Sequence, residues 1–193
     1  SLQLVNIDNE PFANDLLITG YLADINGSAD AGVIYLIKDI NGSAGTFDLS
    51  TLANYSVRWY GNAGDSLGSV SVLAQSVKVI NVDNGSYAND LIIMGDGVDV
   101  NNSSNVGAIW LVKNIDSKSG DYNLHVQSNY DVRWSSGTAT DSFGSTSNSG
   151  DGFQLVNADN GAYSNDALLV GALTDYNGST SNGSVWLVHN IDS

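Results

Sequence analysis

The sequence predicts an all-β fold of repeated four-stranded antiparallel sheets, and three observations predict it. A unit of about 75 residues recurs along the chain. Each complete unit holds four strand-like runs. Turn-forming Gly, Asn, Asp and Ser separate those runs, with a single proline (Pro11) in 193 residues.

The first run of each unit is LQLVNIDN at 2–9, VKVINVDN at 77–84 and FQLVNADN at 153–160. It alternates, with Leu2 and Leu4 against Gln3, Val77 and Val79 against Lys78, and Phe153 and Leu155 against Gln154. Alternation marks one wet face. The second run follows an Asn-Asp pair, as Asn14-Asp15-LLI, Asn89-Asp90-LII and Asn165-Asp166-ALLV. The third is GVIYLIKDI from Gly32, GAIWLVKNI from Gly107 and GSVWLVHNI from Gly183. Both are continuously apolar, the pattern of a strand covered on both faces. The fourth run, NYSVRW (54–59) and NYDVRW (129–134), alternates again, and GDSLGS (64–69) and TDSFGS (140–145) close the unit. The third copy reaches Ser193 before its fourth run. The units are therefore 1–75, 76–152 and 153–193, about 2.7 copies with eleven runs.

A sheet whose central strands are covered on both sides is not half of a two-layer sandwich, where one face of every strand is wet. Sheets stacked face to face around an axis meet the requirement, which makes each unit a blade of β-propeller type. Parallel strands with helical crossovers would also meet it, but no stretch between runs has helical periodicity.

Composition narrows the function. Hydrophobic residues make up 42 %, enough for a core. No run of eighteen apolar residues is present, so membrane insertion is not expected. The net charge of −15, from six Lys plus Arg against 21 acids, argues against nucleic acid, whose affinity comes from basic side chains. Glu10 is the single glutamate; the other acids are aspartates, which suit turns and hard cations. Cysteine is absent, so neither disulfides nor thiolate metal sites are expected. Ser1 opens directly onto strand-like sequence, and a secretion signal removed before this numbering is compatible with that.

In their order and spacing these elements resemble the FG-GAP, or integrin-alpha-type, propeller repeats of bacterial surface proteins. FDLSTLANYSVRWYGNAGDSLGSV at 47–70 and the Asp/Asn/Gly loop and aliphatic strand after it carry the likeness, which covers essentially the whole chain. The family's loop resembles Asp-x-Asn-Gly-Asp-Gly-x-x-Asp and holds calcium through alternate positions. Carried over without a gap, the resemblance implies Ca2+ ligands at Asn6, Asp8, Glu10, Phe12 (carbonyl) and Asn14 in the first copy. The second copy offers Asn81, Asp83, Gly85, Tyr87 (carbonyl) and Asn89; the third offers Asn157, Asp159, Gly161, Tyr163 (carbonyl) and Asn165. Calcium affinity depends on ligand charge and count. Asn and Gly at the family's first and fifth positions therefore imply weak or vacant sites, with Asx-turns as the alternative. Asp15, Asp90 and Asp166 add a residue that the family pattern lacks.

Other constellations stay open. Loops Asp24-Ile-Asn26-Gly-Ser, Asp99-Val-Asn101-Asn-Ser and Asp175-Tyr-Asn177-Gly-Ser offer converging oxygens or plain turn chemistry. Asn-x-Ser tripeptides at Asn26, Asn41, Asn54, Asn84, Asn101, Asn102, Asn177 and Asn182 are turns or glycan acceptors. Trp110 and Trp186 fall in the third run and are expected in the core. Trp59 and Trp134, next to Arg58 and Arg133, either pack on the neighbouring blade or form a binding surface. Catalysis finds little support: His125 has no sequence-near acid, His189 replaces Lys38 and Lys113, and no Gly-x-Ser-x-Gly elbow occurs.

A non-enzymatic, extracellular or cell-surface adhesion or scaffolding protein is the leading expectation, binding protein or glycan through loops and blade surfaces. The alternative is a self-assembling subunit of an extracellular filament or surface layer. An uncovered end face of ~400 Å² would forfeit ~10 kcal/mol of burial. Further repeats in a longer chain, or copies docked head to tail, would cover it.

Overall fold

The computed structural model describes residues 1–69, 76–145, 152–175, 179–180 and 182–193. Asn177, Val70 and the expected unit boundaries lie outside or against the edge of the described residues. Among those residues the fold is all-β, with twelve strands in three sheets.

Sheet I comprises β1 (Leu2–Val5), β2 (Asp15–Gly20), β3 (Val33–Ile37) and β4 (Val57–Tyr60), each antiparallel to the next. Sheet II repeats the pattern with β5 (Val77–Ile80), β6 (Asp90–Gly95), β7 (Ala108–Val112) and β9 (Val132–Ser135). Sheet III holds β10 (Phe153–Val156), β11 (Asp166–Gly171) and β12 (Ser184–Val188). All eleven expected runs are strands. The twelfth, β8 (Gly120–Asn123), lies in the second unit but pairs parallel with β4 of the first. Sheet I therefore has five strands rather than four.

The sheets stack face to face, and the stack stays open. The face each sheet turns toward the following unit is called forward here, and the opposite one backward. The forward face of sheet I, with Leu17, Ile34, Leu36 and Trp59, packs on the backward face of sheet II, with Leu91, Ile93, Trp110 and Val112. The forward face of sheet II, with Ile92, Met94, Ile109 and Leu111, packs on Phe153, Ala167 and Leu169 of sheet III. Every residue of β6 and β7 is buried. Neighbouring sheets cover sheet II on both faces; the backward face of sheet I is covered only at its centre, by the chain's own cluster of Ile25, Val33, Tyr35 and Tyr55, and Leu2 and Leu4 stay exposed. Trp186, expected in the core, is 37 % exposed; it turns one edge to Phe143, ring centroids 5.0 Å apart. Trp186 faces sheet II, but β12 is the edge of its sheet, with no fourth strand among the described residues to flank it as β9 flanks Trp110.

Polar side chains bridge unit to unit at matching positions. Gln3 Nε2 donates to the Val77 carbonyl at 3.0 Å, and Lys78 Nζ, one unit on, to the Phe153 carbonyl at 3.0 Å. Lys38 Nζ reaches the carbonyls of Asp116 (2.5 Å) and Lys118 (3.0 Å), as Lys113 Nζ reaches that of Asp192 (2.7 Å). The closing segments staple both ways. Leu67 donates to Ala31 of its own unit and Gly68 to Met94 of the next; Phe143 and Gly144 repeat this with Val106 and Val170.

Candidate functional site: the loop row and the β9 groove

Asp15, Asp90 and Asp166 open the second strand of each unit and are wholly buried. A buried carboxylate needs donors, and each finds the same two. One oxygen accepts the N–H of Ile7 (3.0 Å), Val82 (2.9 Å) or Ala158 (2.7 Å) in the loop before it. The other accepts the N–H of Asp39 (3.1 Å), Asn114 (3.1 Å) or Asn190 (3.0 Å) after the third strand. These aspartates clamp two loops together. The thrice-repeated Asn-Asp pair was the sequence signal for them, although it reads there as a departure from the family pattern.

Asp90 and Asp166 are shifted in opposite directions. Burial between two sheets pushes the Asp90 carboxyl up, against the lowering pull of the Val82 and Asn114 N–H groups. On the end sheet the Ala158 N–H prevails and holds Asp166 down. A lowered folded pKa gives stability that is present above the unfolded value and lost as pH falls through the folded one. A raised one has the opposite sign, so acidification favours the folded state at Asp90. Asp90→Ala is expected to lower stability by roughly 2–4 kcal/mol in urea unfolding, because two buried N–H donors lose their acceptor. The same change at exposed Asp159 is expected to have little effect.

The sequence-expected calcium ligands sit beside these clamps. In the second loop Asn81 Nδ2 donates to the Gly85 carbonyl (2.7 Å), and the Gly85 N–H returns to Asn81 Oδ1 (3.0 Å) and Asp83 Oδ1 (3.0 Å). The third loop closes alike through Asn157 to Gly161 (2.8 Å) and Gly161 to Asp159 (2.9 Å). Asn89 and Asn165 turn their NH2 groups onto Asn114 and Asp116, and onto Asn190 and Asp192. Tyr87 and Tyr163 hydroxyls cover the same two aspartates. These two loops have amide hydrogens where a cation would require oxygen lone pairs.

The first loop closes in the same way, Asn6 Nδ2 donating to the Glu10 carbonyl (2.6 Å) and Asn14 Nδ2 to Asp39 (3.1 Å), but it gathers more carboxylate and free amide oxygens. Carboxylate oxygens of Asp8, Asp15 and Asp39 lie within 4.8 Å of one another. The side-chain oxygens of Asn6 and Asn14 are buried without a hydrogen-bond partner, and Glu10 takes the Asn14 NH2 at 3.3 Å. This oxygen-rich set fits a hard cation. A similar trio, Asp159, Asp166 and His189, is joined by the His189 Nδ1 to Asp166 contact of 3.2 Å.

The two Arg-Trp pairs have different surroundings. Arg58, expected on a wet face, is buried: its guanidinium meets Asp121 of β8 at 3.1 and 2.6 Å and lies over the rings of Tyr55 and Tyr60. Trp59 is wholly buried, its ring stacked 6.3 Å from Tyr122. Both side chains pack against the following unit. The strand that covers them is β8. Arg133 and Trp134, at the same register in β9, are only half-buried. Arg133 lies 5.8 Å from the Tyr130 ring, and a groove of about 330 Å³ runs past Arg133, Trp134, Phe143 and Trp186. His125, without an acid nearby in sequence, meets buried Asp65 of the preceding unit at 2.6 Å. That acid also accepts the Asn62 N–H at 2.5 Å, so the pair braces a turn.

No family model matches the chain, and neither does any curated protein or solved structure. The FG-GAP likeness rests on the sequence motifs alone.

Proposed function

We propose that the chain is a non-enzymatic, extracellular scaffolding and adhesion module whose units stack in the manner of propeller blades, and that it engages a glycan or protein at the β9 groove. The observation that carries this reading is the exposed Arg133–Trp134–Trp186 groove at the register where β8 seals Arg58 and Trp59. Partly exposed indoles offer such ligands a flat apolar face with an N–H donor at its edge. The buried acids and amides support a structural rather than catalytic use, being engaged by backbone N–H groups. Calcium at Asn6, Asp8, Glu10, Asn14 and Asp39 belongs to the proposal as a support of the first loop. The Asp-rich, cysteine-free composition suits an extracellular surface.

Glycan and extracellular-protein arrays probed with the chain, with and without calcium, test this. Saturable binding that weakens at least tenfold in Trp134→Ala, about 1.4 kcal/mol, is expected. Arrays blank under both conditions, or binding indifferent to Trp134 and Arg133, would count against the groove.

A further inference from the structure

We infer that the forward face of sheet III docks onto the backward face of sheet I in a second copy of this chain, so that copies assemble head to tail. The same pair of faces already meets twice within one chain, between sheets I and II and between sheets II and III. Sheet III carries the forward pattern a third time. Leu168, Val170, Val185 and Leu187 stand where Ile92, Met94, Ile109 and Leu111 stand in sheet II. Those four are buried, whereas Val185 and Leu187 are 65 % and 45 % exposed. Sheet I likewise presents a third backward face. Leu2, Leu4, Leu16 and Ile37 match Val77, Val79, Leu91 and Val112 in register, and Leu2 and Leu4 are 67 % and 57 % exposed.

The polar bridges continue the match. Gln3 and Lys78 each donate to the carbonyl that opens the first strand of the following unit. Gln154 holds their place on sheet III and is exposed; its counterpart acceptor is the Leu2 carbonyl of the second copy. Because the two faces differ, the contact is heterologous, and its rotation decides between a closed ring and a filament. A second copy is the occupant the repeat itself describes, since the backward faces of sheets II and III both receive a forward face of this pattern and sheet I carries the same pattern at its β1 edge.

Sedimentation equilibrium of the 193-residue chain, in salt that screens its charge of −15, tests the contact. The weight-average mass is expected at least to double as concentration rises. Leu187→Asp and Leu4→Asp are each expected to hold the mass at one chain, with circular dichroism and unfolding midpoints unchanged because both positions are exposed. Leu2→Lys serves if Leu4→Asp unfolds. Mixed, the two variants each keep one intact face and are expected to form a pair of chains and nothing larger. Trp134→Ala is expected to assemble normally, which separates this contact from the β9 groove. A wild-type mass fixed at one chain up to the solubility limit overturns the inference. So does assembly that survives both variants, or a mixture that fails to pair.

Discussion

Trp110→Ala is expected to destabilise the chain by about 4 kcal/mol, the upper range for removing a large buried ring. Trp110 is fully enclosed between sheets I and II. The matching Trp186→Ala is expected to cost only about 1–2 kcal/mol, because that ring already spends part of its surface in water. Trp110→Phe is expected near 1 kcal/mol, since the indole N–H has no hydrogen-bond partner to lose. Urea unfolding of the three variants measures the series. Equal losses at Trp110 and Trp186 would mean that the edge position of β12 leaves its indole as enclosed as that of β7.

Gly107→Ala is expected to be as damaging, by about 4 kcal/mol, and for a different reason. Gly107 has φ +77°, and a Cβ there would lie 2.3 Å from the backbone N and O of Phe143. The closing segment would have to leave the sheet it staples. Gly137 separates the two causes: its φ is +82°, but open space surrounds a Cβ. Gly137→Ala is expected to cost only the left-handed backbone penalty, about 1 kcal/mol. Similar melting shifts for both would place the cost in backbone conformation and dismiss the close approach.

The strands from β1 to β7 and β9 to β12 were legible because each is an alternating or continuously apolar run bounded by turn residues and seen more than once. β8 was not, because Gly-Asp-Tyr-Asn has neither alternation nor an apolar run, and its partner β4 lies in the preceding unit. That one omission explains why Arg58 reads as exposed when it is sealed. Trp186 reads as core by analogy with Trp110, but β12 is the edge of its sheet among the described residues, whereas β7 is flanked by β9. The site was legible in part. The repeated loops mark a functional-looking row, but the residue types alone do not reveal that Asn81 and Asn157 bond across their own loops, or that Asp90 serves backbone N–H groups. The role of Asp90 depends on where the third strand ends, twenty-four residues further on.

Hydrogen exchange resolved by residue tests whether sheet II is sealed between two neighbours. Amides of β6 and β7 are expected to exchange more slowly than matched amides of β11 and β12, by about tenfold or more, since sheet II opens only when the stack parts. Matched rates in the two sheets, or faster exchange in β6 and β7, would contradict stacking on both faces.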